Sequence, residues 1–329
     1  MDLSIFGRTC LASLILLFAT EVAWSALPAE VSPNPDTIRV FENYVARTDA
    51  KNANTLRSDN FLWTDDLAQP AKESTYAKLK RGEVVMQRVA PTGVYADIPG
   101  GMIHDWEGMV FIPGARLVEV LTFLKDYDHQ STYFAPDVQQ SRIEEHSGDH
   151  YRVFLRFRRT KIVTVILDTD HTIDYFSDSP TRAHSRSSAI RIAEVENPGE
   201  ATEKEKSPGH DNGFLWRMET WWRFEEKDGG VYLQNQVVSL SRNIPTGLGW
   251  AIEPFVTSIP KESLEFTLNA VRRGVLARSK TACADSTSWI IAFESQSEST
   301  LPRLAVGVTN SWILPDQSAR VPRVPPIEQ

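Results

Sequence analysis

The sequence predicts an α+β fold in which a strand and two helices precede a run of antiparallel strands and a terminal helix. The clearest observation is the segment 213–225, where apolar and aromatic residues alternate with largely charged ones. A period of two is typical of a strand that buries one face. Asp228 and Gly229 follow, a pair that favours a tight hairpin. Residues 231–241 are therefore the predicted return strand.

The other elements of the main body follow from the same kind of pattern. Residues 102–112 form a predicted strand, and residues 115–125 carry leucine and valine at helical spacing. A short helix or turn is predicted at residues 126–134. Alternation then predicts further strands at residues 138–145, 151–158, 162–175 and 182–195. Residues 196–212 are rich in Glu, Lys, Pro and Gly, which indicates an exposed loop.

Helical patterns flank this body. At its end, Leu264, Leu268, Val271 and Val275 form one apolar stripe. Prolines at positions 254 and 260 predict that this terminal helix is kinked or separated from an earlier half. Ahead of the body, the sequence predicts an amphipathic helix at residues 38–45, a helical turn at residues 76–80 and a strand at residues 83–89.

The N-terminus has the pattern of a secretory signal. Arg8 precedes an apolar run, and Ala23-Trp24-Ser25 offers a small-x-small cleavage site. The run is shorter than the ~20 residues that a membrane span needs, although a membrane anchor is the alternative. We therefore predict a signal peptide at 1–25, a partly helical extension at 26–95, the main domain at 96–275 and a disordered tail at 276–329.

Composition excludes several classes of function. The 329 residues carry a net charge of −8, which gives no support to nucleic-acid binding. After signal cleavage Cys283 is the one remaining cysteine, so no intramolecular disulfide can form. Asp168 and His171 point to opposite faces of a predicted strand, so they cannot converge on a metal ion without a bulge. We expect no metal, no cofactor and a monomer.

Several short stretches support a family resemblance. They are Trp106-Glu-Gly, Phe111-Ile-Pro-Gly114, Asp126-Tyr-Asp128, Leu240-Ser-Arg-Asn-Ile-Pro245 and Pro254-Phe-Val-Thr-Ser-Ile-Pro260. With the order of elements, they make residues 96–275 resemble the START-like (SRPBCC, helix-grip) superfamily. The resemblance implies a curved antiparallel sheet wrapped around the terminal helix, with a hydrophobic cavity between them. Members bind lipids, sterols, polyketides or other apolar compounds, and some are cyclases or hydroxylase subunits.

The aromatic side of the predicted sheet supplies the candidate ligand-binding residues. The predicted cavity-lining set is Trp106, Phe157, Trp216, Met218 and Trp222 from the sheet, with Phe255 from the terminal helical segment. Arg186 is the candidate polar anchor, because its strand alternates least clearly and could bring it inside. A filled core made of the same side chains is the alternative interpretation.

Three functions remain open at this point. The first is an exported, periplasmic or secreted carrier that binds a hydrophobic small molecule, either a lipid or an aromatic metabolite, without a catalytic residue. The second is a cyclase or dehydratase that uses His184 or Asp168 as general base in the same cavity. The third is an envelope interaction module in which the extension and the tail dock partners.

Overall fold

The computed structural model describes residues 31–297, apart from residues 90, 92, 96–97, 162–163 and 244–257, and gives the backbone alone for residues 280–297. The helices are α1 (Pro35–Leu56), α2 (Gln69–Lys80), α3 (Leu117–Lys125), the single turn α4 (Gln130–Tyr133) and α5 (Ile259–Ser297). Among these described helices, none combines the length and apolar character that crossing a membrane requires.

One antiparallel sheet forms the centre of the fold. Its strands are β1 (Val85–Arg88), β2 (Gly101–Pro113), β3 (Val138–Ser147), β4 (His150–Thr160), β5 (Thr164–Ser179), β6 (Arg182–Glu196), β7 (Lys204–Glu205), β8 (Arg217–Lys227) and β9 (Gly230–Arg242). They run in the order β1-β2-β9-β8-β6-β5-β4-β3, and the short strand β7 pairs with β6. Every strand predicted from alternation is present, whereas β7 lies in the segment predicted as a loop.

The inner face of the sheet packs against α5 and α3. Val110 of β2, Phe224 of β8 and Leu268 of α5 are fully buried members of one apolar cluster. The helix comes close enough that a Cβ atom at Gly108 would lie 2.7 Å from Cδ1 of Leu268. At Gly274 of α5 a Cβ atom would collide with the ring of Phe123. This close packing of helix on curved sheet confirms the predicted α+β, helix-grip fold.

The outer face of the sheet is also covered, by the N-terminal helices. Phe41 of α1 lies in an apolar cluster with Trp221 and Leu240, and Leu79 of α2 lies in another with Tyr232. Strands β2 and β9 are accordingly buried on both faces, and their buried side chains include polar as well as apolar ones. The segment predicted as an extension therefore forms a second helical layer on the sheet.

A polar layer lies within this outer interface. Asp105 of β2 is 1% exposed. Its carboxylate accepts hydrogen bonds from Gln236 Nε2 at 3.0 and 3.1 Å and from the Tyr44 hydroxyl at 2.9 Å. Burial raises the pKa of Asp105 to about 6, although these hydrogen bonds act in the opposite direction. The layer thus contains a carboxyl group that titrates well above its ordinary range.

Raising the pH from about 4 to about 7 is expected to destabilise the protein through Asp105. The folded state holds this proton up to pH about 6, whereas an unfolded aspartate releases it near 3.8. The contribution is therefore fully present below pH ~4 and is lost as the pH rises through about 6. At about 1.4 kcal/mol per unit of pKa difference, it amounts to roughly 3 kcal/mol.

Urea unfolding of the wild type and of Asp105→Asn at several pH values measures this contribution. The variant should gain stability relative to the wild type as the pH rises. Burial raises the pKa of Glu194 to about 7. Glu194 is present in both proteins, so its effect cancels when the unfolding free energy of the wild type is subtracted from that of the variant. Asp59→Asn, at an exposed carboxyl group, is the matched control. An identical pH dependence in all three proteins would contradict the assignment to Asp105.

Helix α5 extends further than its apolar stripe predicts. It continues from Ile259 to Ser297, whereas residues 276–329 were expected to be disordered from their Ser, Thr and Pro content. Residues 276–297 contain neither proline nor glycine, and the prolines of this region begin at position 302. Helix breakers are therefore absent from this part of the tail. The predicted signal peptide, the helical half at residues 248–256 and residues 298–329 lie outside the described residues.

Candidate ligand-binding site

A cavity of about 290 Å³ lies between the inner face of the sheet and α5. Strands β4, β5, β6, β8 and β9 provide its base, and the first two turns of α5 cover it. Its apolar wall consists of Leu155, Phe157, Val165, Leu167, Met218, Trp222, Val237 and Leu264, among others. The described side chains of the inner face therefore leave a space unfilled.

Three of the predicted binding residues line this cavity. Phe157 of β4 and Met218 and Trp222 of β8 all contribute to its wall. Met218 and Trp222 follow the alternation of β8, because residues of even number on this strand face inwards. The rings of Trp222 and Phe224 stack with centroids 5.9 Å apart and planes inclined by 7°. Packing of this kind holds the indole in one orientation at the cavity wall.

The other predicted aromatic residues lie elsewhere. Trp106 is on the inner face but packs against the apolar cluster beside the cavity. The prediction that places Trp216 on the inner face is wrong, since it is buried on the outer face and donates Nε1–H to Asp211 at 3.1 Å. Trp216 sits at a bend immediately before β8 begins at Arg217, so the alternation does not extend to it. Phe255 lies outside the described residues.

The prediction that places Arg186 inside the cavity is also wrong. Its guanidinium lies on the outer face, where Nε donates to Asp49 Oδ1 at 2.9 Å and Nη1 donates to Glu219 Oε2 at 2.6 Å. The guanidinium also stacks 4.2 Å from the ring centroid of Trp221. Residues 184, 186 and 188 of β6 face outwards, whereas Ser185 and Ser187 line the cavity. Arg186 therefore helps to dock α1 on the sheet.

The two residues considered as general bases also face outwards. His184 Nδ1 lies 2.8 Å from Asp178 Oδ2, and the imidazole stacks on Phe176. Asp168 receives Nε–H and Nη2–H of Arg156, both at 2.7 Å. Neither side chain lines the cavity. An enzymatic function based on either of them is therefore not supported.

Two histidines outside the predicted binding set, His104 and His171, line the cavity instead. His171 Nε2 lies 2.9 Å from the Thr169 hydroxyl, which itself donates to the Leu155 carbonyl. The Thr169 oxygen thus accepts from His171, and this leaves Nδ1 of His171 without a proton. Burial lowers the pKa of His171 to about 4, and burial with the nearby charge of Arg88 lowers that of His104 to about 4. Both imidazoles are neutral at physiological pH.

Arg159 is the cationic side chain of the described cavity lining. Its Nε donates to Ser263 Oγ of α5 at 2.8 Å, and its guanidinium forms an ion pair with Asp137. Burial lowers the pKa of Arg159, and the charge of Asp137 opposes that change. Because the guanidinium is already paired, the described lining carries no unbalanced charge.

The sequence of β6 carries a local signal for the cavity. The inward residues of this strand are Ala183, Ser185, Ser187 and Ala189, all of them small. Small side chains on the buried face of a central strand leave space unless bulky residues on the opposing element fill it.

The chain was compared with known families, curated proteins and solved structures. No family model matches the chain, and no curated protein matches it either. Among solved structures, it is similar to a fragment of a STAR-related lipid transfer protein from Xanthomonas axonopodis. The sequence identity is 18%, the match covers 54% of this chain and 95% of that one, and the TM-score is 0.38.

Two further solved structures illustrate the range of matches. The Zhui aromatase/cyclase from Streptomyces sp. R1128 is 17% identical over 55% of this chain and 98% of that chain, with a TM-score of 0.37. A human lipid transfer and protein localization domain is 8% identical over 63% of this chain and 96% of that chain, with a TM-score of 0.36. These likenesses concern the fold alone. The helix-grip assignment rests on the strand order and on the packing of α5 described above.

Metal ligands are the last feature of the site. Within the described residues, no group of three or more His, Cys, Asp or Glu side chains could bind a metal ion.

Proposed function

We propose that the chain binds one small, mostly apolar molecule in the cavity between the inner face and α5. The observation that carries this proposal is the unfilled space of about 290 Å³ beside Phe157, Met218 and Trp222. An empty apolar cavity destabilises a protein, because its lining lacks dispersion contacts on one side. A guest restores those contacts. The volume is close to the ~300 Å³ at which small-molecule sites begin.

The apolar lining supplies enough free energy for useful affinity. Each buried methylene contributes about 0.8 kcal/mol, so a ten-carbon chain gains about 8 kcal/mol before losses of its own freedom. Without those losses the gain would correspond to a dissociation constant of roughly micromolar order, which is therefore the tightest binding that this contribution alone supports. Binding of this strength suits a carrier that must also release its cargo.

We further propose that the mature protein acts outside the cytoplasm, in a periplasm or as a secreted protein. The support is the N-terminal pattern of Arg8, the apolar run after it and the small-x-small site that ends at Ser25. A carrier in this location would shield an apolar guest from water between membranes or between cells.

Fluorescence titration with N-phenyl-1-naphthylamine, an uncharged apolar dye, tests the proposal. The folded protein should bind about one dye per chain in a saturable way, with a dissociation constant of roughly micromolar order. Quenching of the Trp222 indole should accompany binding, since Trp222 lines the cavity. A linear, non-saturating signal, together with native mass spectra that contain only unliganded protein, would overturn the proposal.

A further inference from the structure

Two polar atoms of the cavity lining are buried without a hydrogen-bond partner among the described residues. They are Ser185 Oγ of β6 and Asn235 Oδ1 of β9. Ser185 is 2% exposed and Asn235 is 3% exposed. Most buried polar atoms in folded proteins are hydrogen-bonded, because leaving one unpaired costs the desolvation of that group. Two such atoms in one cavity therefore indicate that something else pairs with them.

The two atoms belong to one row across the sheet. Ser185 is registered with Trp222, and Trp222 is registered with Asn235. Their strands are two places apart, which separates them by roughly 10 Å, and the indole of Trp222 lies between them. Three further hydroxyl side chains line the cavity on the same strands. We call this group the polar floor, and it consists of Ser185, Ser187, Thr220, Asn235 and Ser239.

The chemistry of the polar floor limits what can pair with it. An amide oxygen such as Asn235 Oδ1 only accepts hydrogen bonds, so its partner must donate one. A serine hydroxyl both donates and accepts. A hydrocarbon or an ether offers no donor, and a carboxylate offers only acceptors. A hydroxyl or N–H group satisfies either Ser185 or Asn235, and at a separation of roughly 10 Å one such group pairs with one of the two atoms.

The rest of the lining disfavours a charged guest. His104 and His171 lie on this side of the cavity as neutral imidazoles. The guanidinium of Arg159 is already paired with Asp137 and Ser263. An ionised guest would thus lose its hydration without gaining an unpaired counter-charge.

We propose that the guest is an uncharged molecule with an apolar body that carries a hydroxyl or N–H donor on the edge facing the polar floor. This inference rests on the proposed function, because it specifies which apolar molecules the cavity selects. Hydroxylated hydrocarbons and hydroxylated aromatic compounds both have this chemistry.

Competition against bound N-phenyl-1-naphthylamine tests the inference with isomers. Decan-1-ol and 1-methoxynonane have the same molecular formula, but only the alcohol donates a hydrogen bond. Decan-1-ol should displace the dye at a concentration about three- to tenfold lower, and decanoate should compete more weakly than the alcohol. The single hydroxyl of decan-1-ol reaches one of the two atoms, so the preference for the alcohol should fall towards unity in one of the variants Ser185→Ala and Asn235→Leu, while 1-methoxynonane still competes. Ser177→Ala, at an exposed serine of β5, should retain it.

The outcomes separate this inference from the proposed function. If both isomers displace the dye equally from the wild type, water and not the guest pairs with the polar floor, and the inference is wrong. If decanoate competed more tightly than decan-1-ol, recognition would be assigned to Arg159, and the inference of an uncharged guest would also be wrong. This comparison uses the wild type, so it does not depend on whether Asn235→Leu folds. If the dye itself does not saturate, the proposed function fails before the isomers are compared.

Discussion

Replacing Ser187 with phenylalanine is expected to weaken binding of N-phenyl-1-naphthylamine by roughly a hundredfold, or about 2.7 kcal/mol. Ser187 lies on β6 in the polar floor, where its small side chain leaves the cavity open. A phenyl ring at this position occupies the space that the guest needs. Because the ring enters an existing cavity, the usual destabilisation by overpacking of about 1–3 kcal/mol should be largely avoided.

Dye titration and thermal unfolding of the same samples measure both effects. The matched control is Ser177→Phe, the same change at an exposed position on the neighbouring strand β5. The control should bind the dye like the wild type. If Ser187→Phe binds within threefold of the control while remaining folded, the dye does not occupy this cavity.

Replacing Arg223 with leucine should destabilise the fold by about 3–5 kcal/mol, as removal of one partner from a buried charged network does. Arg223 of β8 is 5% exposed. It donates to the Phe61 carbonyl at 3.1 Å and to the Asn52 side chain, both of which belong to the N-terminal layer. Burial raises the pKa of Glu107, and the positive charge of Arg223 opposes that change. The variant leaves these groups buried without their partner.

Urea unfolding of Arg223→Leu and Arg158→Leu measures this cost. Arg158 lies exposed on β4, so its replacement should change stability by no more than about 0.5 kcal/mol. If the two variants were equally stable, the N-terminal helices would not depend on Arg223 for their attachment to the sheet.

Sequence patterns predicted β4 and β8 because each of these strands buries one face more than the other. The period of two in β4 and β8 follows directly from that burial. The same reasoning placed Met218 and Trp222 on the inner face. It failed at Trp216, because the bend before β8 interrupts the alternation, and such a bend leaves no signal in the identities of neighbouring residues.

The outer layer could not be predicted from local patterns. Asp105 and Arg223 look like solvated residues in a strand, and only the tertiary packing of α1 buries them. Arg186 was misplaced for a related reason, since its partners Asp49 and Glu219 lie far apart in the chain. Long-range pairing of this kind depends on which elements meet and not on residue spacing.

The family resemblance predicted a cavity between sheet and helix, but it did not predict the polar floor. Alanine and serine at the inward positions of β6 carry the local information, because small side chains there leave space opposite Trp222. The unpaired atoms of Ser185 and Asn235 became apparent only once hydrogen-bond partners could be assigned.

Photo-cross-linking locates the guest most directly. A decan-1-ol analogue carrying a diazirine would be bound to the protein, irradiated and mapped by mass spectrometry of peptides. We expect labels on cavity residues such as Leu155, Met218 and Leu264. Excess N-phenyl-1-naphthylamine and the Ser187→Phe substitution should both suppress this labelling. Labels confined to the exposed side chains Phe176 and Ile190, and unaffected by competition, would contradict binding between the sheet and α5.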